Sequence, residues 1–204
     1  MKKRTYKQNC SLAFASDLLG ERWTLLLFRE LLIQPCRFKQ LNLWLKGMGT
    51  NLLTNRLKEL EQDGLIEKQQ PENKRSAYQL TQAGYEVEHS VLAMIRWGYR
   101  YGHPQEDFIH YAHWDLLAMK AFYDQSKGQK KITLQFSSVS LLAWVTASGK
   151  GFDFGMGVKQ SADIEIGTNI IDFQVALERG DYIEDEKISA FLQWFDLPDL
   201  ANQP

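Results

Sequence analysis

Leu53, Leu57 and Leu60 recur at i, i+4 and i+7, so residues 50–62 form a helix with one apolar stripe. Asn51, Thr54, Asn55, Lys58 and Gln62 then share the opposite face, while Arg56 projects toward the Leu52 and Leu60 side as a structural residue. Upstream, Phe38, Leu41 and Leu45 mark a shorter helix over 37–45, joined to the first by Lys46, Gly47, Met48 and Gly49. Downstream, Asp63-Gly64 reads as a helix stop, with glycine free to turn left-handed. Residues 65–69 and 76–80 then read as two strands closed by 71–75. Two helices on a glycine-bearing turn, followed by a hairpin, predict a helix-turn-helix with a β wing.

The flanking pattern is equally regular. Leu12, Ala15, Leu18 and Leu19 give a helix over 11–19 that Gly20 ends, and 23–33 is almost wholly apolar, the signature of a buried helix stopped by Pro35. A long helix over 82–101 carries Val87, Val91, Met94 and Ile95, with Trp97, Tyr99 and Tyr101 extending its apolar surface. That is more surface than a small domain covers, so it packs on a helix of a second copy or on a second domain of its own chain. Residues 102–107 combine Gly, Pro and charge, and mark a boundary between domains 1–103 and 107–204. Beyond it a helix over 114–125 precedes strands at 132–136, 140–147, 152–156 and 162–166, of which the first and last two alternate strictly. Short turns between alternating strands predict a one-sided antiparallel sheet, and helices over 170–178 and 185–195 complete an α+β chain.

Hydrophobic residues make up 44% of the 204 positions, ample for packed cores. The formal net charge of −1 conceals an asymmetry: residues 1–103 carry 16 Lys and Arg against 10 Asp and Glu, and residues 104–204 carry 8 against 15. The basic half alone suits an anionic polymer. Amides, a hydroxyl and an ammonium on the exposed face of 50–62 are groups that read base edges and phosphates in a major groove. The candidate contacts are Thr50, Asn51, Thr54, Asn55 and Lys58 from that helix, Arg37 and Lys39 from the preceding one, and Lys74 and Arg75 at the wing tip. Lys2, Lys3, Arg4 and Lys7 add a basic arm.

No phosphate loop, nucleophile elbow or zinc-ligand spacing occurs, so neither an enzyme nor a cofactor is expected. His103, His110 and His113 lack a Cys or carboxylate at fixed spacing, and no metal site is assigned. Two cysteines make no disulfide framework, and with neither a signal-peptide run nor a membrane span read in the sequence, the expected location is the cytoplasm. Cys10 reads either as a small buried hydrophobe or as a reactive thiol activated by Lys7, Arg22 and a helix amino terminus. The acidic run 184–186 is expected to serve a helix amino terminus.

The stretches GERWTLLLFREL, CRFKQL, LLTNRLKELEQDGLIEK and YQLTQAGYE, in this order over about half the chain, resemble the HxlR family of bacterial winged-helix transcriptional regulators, related to the MarR group. The resemblance implies a homodimer on a pseudo-palindromic double-stranded DNA operator, a dimer interface built partly by the helix over 82–101, and at Cys10 a position where several such regulators carry an oxidant-sensing thiol. Where such proteins commonly have Ser opening the recognition helix this chain has Gly49, which leaves Thr50 as the expected cap. The phrase ADIEIGTNIIDFQVALERGDY and the strand order resemble a sterol-carrier-like domain over about 110–195. That implies a cavity for an apolar effector, with Phe136, Trp144, Phe152, Phe154, Phe173 and Phe191 as lining. The chain is therefore read as a DNA-binding regulator. The other reading is a small-molecule or lipid carrier, or an enzyme, in which the winged helix only binds proteins.

Overall fold

The computed structural model describes residues 5–69, 76–102, 107–181 and 184–196. They fall into two compact units, 1–91 and 92–204.

In the first unit, α1 (Ser11–Leu19), α2 (Thr24–Ile33), α3 (Phe38–Trp44) and α4 (Thr50–Gln62) follow the predicted order, then β1 (Ile66–Gln69) pairs antiparallel with β2 (Ala77–Leu80). Leu27, Phe28, Leu31, Leu41, Leu53, Leu57 and Leu60 are each at most 1% exposed, so the stripes read from the sequence form one core. Cys36 exchanges both backbone hydrogen bonds with Tyr78 at 2.9 and 2.8 Å, an isolated bridge that ties the segment before α3 to the outer edge of β2. Glu30 is buried and ion-paired to Arg29 at 2.7 Å.

After β2, the expected helix over 82–101 is two helices, α5 (Gln82–Tyr85) and α6 (Glu88–Tyr101). Neither Pro nor Gly stands at the break. Gly84 lies so close to the Leu65 carbonyl that a Cβ there would sit 2.1 Å from the oxygen, which pins the first turn to the chain leading into β1. Val87 and Ser90 then donate to carbonyls three residues back, tightening the path before α6 begins.

The second unit holds the last part of α6, a 3₁₀ turn at Ala112–Trp114, α7 (Asp115–Phe122), β3 (Ile132–Ser137), β4 (Leu142–Ser148), β5 (Gly151–Met156), β6 (Ile164–Ile166), α8 (Ile170–Arg179) and α9 (Glu186–Leu192). The four strands are ordered β5-β4-β3-β6. β6 pairs parallel with β3, Leu134 opposite Ile164, so the sheet is mixed rather than wholly antiparallel. The cause is the connection: residues 157–163 carry the chain from the β5 edge to the opposite one.

That crossing also overturns the one-sided expectation, because the polar alternates of β3 are buried too. Thr133 is 3% and Gln135 1% exposed. The Thr133 and Thr146 hydroxyls pair at 2.9 Å, and the Gln135 amide nitrogen lies 3.0–3.2 Å from the carbonyls of Phe136, Ala143 and Gly157. Its oxygen accepts from Lys159 N at 2.8 Å, so the crossing segment is tied onto this face. The acidic run behaves as expected: Asp185 Oδ1 accepts from the amides of Lys187 and Ile188 and caps α9. Among the described residues no helix is long and apolar enough to cross a membrane.

Candidate nucleic-acid interface

The reversal between α3 and α4 is set by Gly47, whose φ of +96° suits glycine, while Leu45 and Met48 on either side are buried and fix the turn. At the far end of α4, Gly64 takes φ +71° and donates to Glu61, and Leu65 N reaches back to the Leu60 carbonyl at 3.0 Å. This is a Schellman stop, with Leu60 and Leu65 both buried. Both ends of α4 are thus tied down, and Leu53, Leu57 and Leu60 face the core.

The other face is exposed at Thr50, Asn51, Asn55, Lys58 and Gln62. Among the described residues, no side chain pairs with Asn51, Asn55 or Lys58. Thr54 is half-buried and its hydroxyl donates to the Thr50 carbonyl at 2.8 Å, leaving it acceptor capacity only. Thr50 does not cap the helix. Gly49 is the cap residue and no side chain accepts at that end, so the first-turn amides stay open toward the exposed face. Arg56 is engaged elsewhere, with Glu59 at 2.8 Å and Glu21 at 3.4 Å, tying α4 to the turn before α2.

Arg37 and Lys39 are exposed at the start of α3, where Arg37 N donates to Gln40 Oε1 at 2.9 Å and its guanidinium stays outward. Lys68 on β1 sits over the Tyr78 ring and 3.5 Å from Glu61, which joins the wing base to the last turn of α4. The wing tip, Lys74 and Arg75, lies outside the described residues. So do Lys2, Lys3, Arg4 and His103.

The two thiols are opposites. Cys10 is exposed at the cap of α1, and the backbone N–H groups of Ala13 and then Leu12 pull its pKa below the ordinary thiol value, so the buried reading is wrong for it. The activating groups are amides rather than Lys7 or Arg22. Cys36 is fully buried, and burial together with the Glu30 charge pushes its pKa up to about 12.

The six aromatic residues proposed as one lining do not share a face. Phe136, Phe152 and Phe154 stand on the sheet face that also carries Leu134 and Val145; the Phe136 ring meets Phe173 of α8, and Phe152 meets Phe154. Phe191 of α9 packs on Phe195 at 5.0 Å, and Phe195 meets Phe152 at 5.8 Å. Trp144 pairs with Gln135 and so points to the opposite face, where the Lys159 ammonium sits 3.3 Å from its ring centre. His110 is bound to Asp115 at 2.9 Å and His113 is buried; burial raises the Asp115 pKa against the pull of His110. What the sequence reading missed is an open cleft of about 1100 Å³ beside the end of α6, lined among others by Arg96 and Arg100. Its signal was present as an Arg pair at i, i+4.

A family model described as HxlR-like helix-turn-helix matches residues 18–106. The chain is 36% identical over 93 residues to an HTH-type transcriptional regulator of Mycobacterium tuberculosis, an alignment covering 45% of this chain and 58% of that protein. It is 31% identical over 101 residues to the regulator YybR of Bacillus subtilis, covering 48% and 81%. With the HTH-type transcriptional regulator YodB of the same organism it shares 34% identity over 92 residues, covering 44% and 82%. The chain thus spans little more than half the length of the mycobacterial relative. Among solved structures, the redox regulator HypR in its reduced form is similar at 28% identity and a TM-score of 0.42, over 44% of this chain and 91% of that one.

Proposed function

Because this chain belongs to the HxlR-like helix-turn-helix family, we propose that it is a sequence-specific DNA-binding transcriptional regulator that acts as a homodimer on a pseudo-palindromic operator. The observation that carries the reading is the outer face of α4: Asn51, Asn55 and Lys58 are exposed and lack side-chain partners among the described residues, on a helix whose other face and both ends are fixed. Two amides and an ammonium held this way suit base edges and phosphates, and Thr50 and Thr54 border them. Arg37 and Lys39 contact the phosphate backbone, as do Lys74 and Arg75 of the wing. Leu12 and Phe14 on α1, 74% and 66% exposed, and Met94 on α6 supply apolar surface for the second copy. The chain acts by binding, without a catalytic step.

Selection from random duplex DNA should enrich one pseudo-palindrome, and affinity for it should fall steeply as salt rises. Asn55→Ala should cost about 1–3 kcal/mol and relax one position of the site. Full binding by an Asn55→Ala, Lys58→Ala double variant would remove α4 from the interface. Cys10 is the thiol through which an oxidant reaches this half of the chain: Cys10→Ser should abolish any change of DNA affinity on mild oxidation, whereas Cys36→Ser should not. An apolar effector on the sheet unit would act by binding two dimer geometries unequally, and tenfold control needs only about 1.4 kcal/mol of coupling.

A further inference from the structure

The open cleft in the second unit runs between the last turns of α6 and the segment that follows α7. At about 1100 Å³ it lies just above the range of roughly 300–1,000 Å³ in which small molecules are held, room enough for one with open margin. Its floor is aromatic. Tyr99 meets Phe122 edge-on at 5.1 Å, and Tyr123 continues the surface, its hydroxyl donating to the Ser148 carbonyl at 2.5 Å. One wall carries Arg96 and Arg100, one helical turn apart. Arg96 Nη1 donates to the Ala121 carbonyl at 2.8 Å, a bond that sets the guanidinium plane and leaves its charge unneutralised. Arg100 is exposed and pairs with no side chain among the described residues.

The opposite rim holds two carboxylates, and both are already engaged. Asp196 Oδ1 accepts from Lys127 Nζ at 2.7 Å, while Asp124 Oδ1 accepts from the Ser126 amide at 2.9 Å and its hydroxyl at 2.7 Å. Three cations against two carboxylates leave one positive charge, concentrated on the arginine wall. A planar guanidinium offers parallel N–H donors that match a carboxylate, and an aromatic lining suits an aromatic body. We propose that this cleft binds a planar aromatic monocarboxylate, its carboxylate on Arg100 and Arg96 and its ring over Tyr99, Phe122 and Tyr123. A bare inorganic anion would leave the floor uncovered, and an uncharged ring would leave the arginines unmatched.

Isothermal titration of the full chain with 2-naphthoate, without DNA, tests this directly. A failure of the DNA-binding reading leaves the measurement intact. Saturable binding of 2-naphthoate is expected, at least tenfold weaker binding of 2-naphthamide, and no saturable heat from inorganic phosphate. Arg100→Gln, at an exposed position, should weaken 2-naphthoate at least tenfold with the thermal midpoint unchanged, while Lys150→Gln, in the turn between β4 and β5, should leave binding as it was. Equal affinity for acid and amide, or undiminished affinity in Arg100→Gln, overturns the proposal. So does the absence of saturable heat.

Discussion

α4 and β3 each set an apolar face against a polar one, yet they treat their polar side chains in opposite ways. On β3 the two buried polar side chains are satisfied inside the protein: Thr133 by Thr146, and Gln135 by three carbonyls and an amide of the crossing segment. On α4 the amides of Asn51 and Asn55 and the ammonium of Lys58 have no such partners among the described residues. A polar residue that is internally satisfied maintains a fold, whereas a rigidly displayed one that is not satisfied is available to something else. This difference, and not polarity itself, is the ground on which α4 is proposed as the interface.

The comparison can be broken at its apolar side first. Leu57→Ala removes a side chain 1% exposed in the middle of the α4 stripe, and should cost about 2–5 kcal/mol of stability in urea denaturation. DNA binding should fall with it, because the displayed face loses its support. Gln135→Leu is the matching change on β3. It strands Lys159 N and the Gly157 carbonyl, and should cost about 1–3 kcal/mol, leaving DNA affinity of the folded fraction unchanged. A Gln135→Leu protein as stable as the parent would show that the crossing segment is not held by this amide.

A smaller effect sharpens the contrast for a buried thiol. The Cys36 pKa is raised from 9.0 to about 12 in the folded chain, so the unfolded chain releases this proton first as pH rises. Its contribution to stability is therefore complete below pH 9 and is lost toward pH 12, at about 1.4 kcal/mol per pH unit. Stability measured across that window should show this slope in the parent and lack it in Cys36→Ala. The smallest effect is expected at the displayed face, where Asn55→Ala should change stability by less than about 0.5 kcal/mol while altering DNA recognition. If its stability falls as far as that of Leu57→Ala, Asn55 is a structural residue and the contrast fails.

The helix-turn-helix was legible because its signals are local: a leucine period, Gly47 in the turn, and Asp63-Gly64 at the stop. What could not be read depends on contacts distant in sequence. The break between α5 and α6 follows from Gly84 lying against the Leu65 carbonyl, which no pattern within 82–101 encodes. The parallel β6 and the buried Gln135 share one cause, the crossing of 157–163 over a face that alternation alone assigns to solvent. Trp144 was grouped with the phenylalanines by residue type, although strand parity places it on the other face. The cleft escaped because its lining comes from three segments distant in sequence, 96–101, 121–125 and Asp196, and Arg96 and Arg100 look like ordinary solvated charges until the residues beside α7 are in place.

The disparity between the two cysteines has a practical consequence. With one thiol exposed at the cap of α1 and the other sealed in the core with its proton held to about pH 12, a maleimide fluorophore or nitroxide added at neutral pH should attach once per chain, at Cys10. The native sequence thus carries its own single attachment point, and the spacing between two such labels would report the distance between copies without any engineered residue.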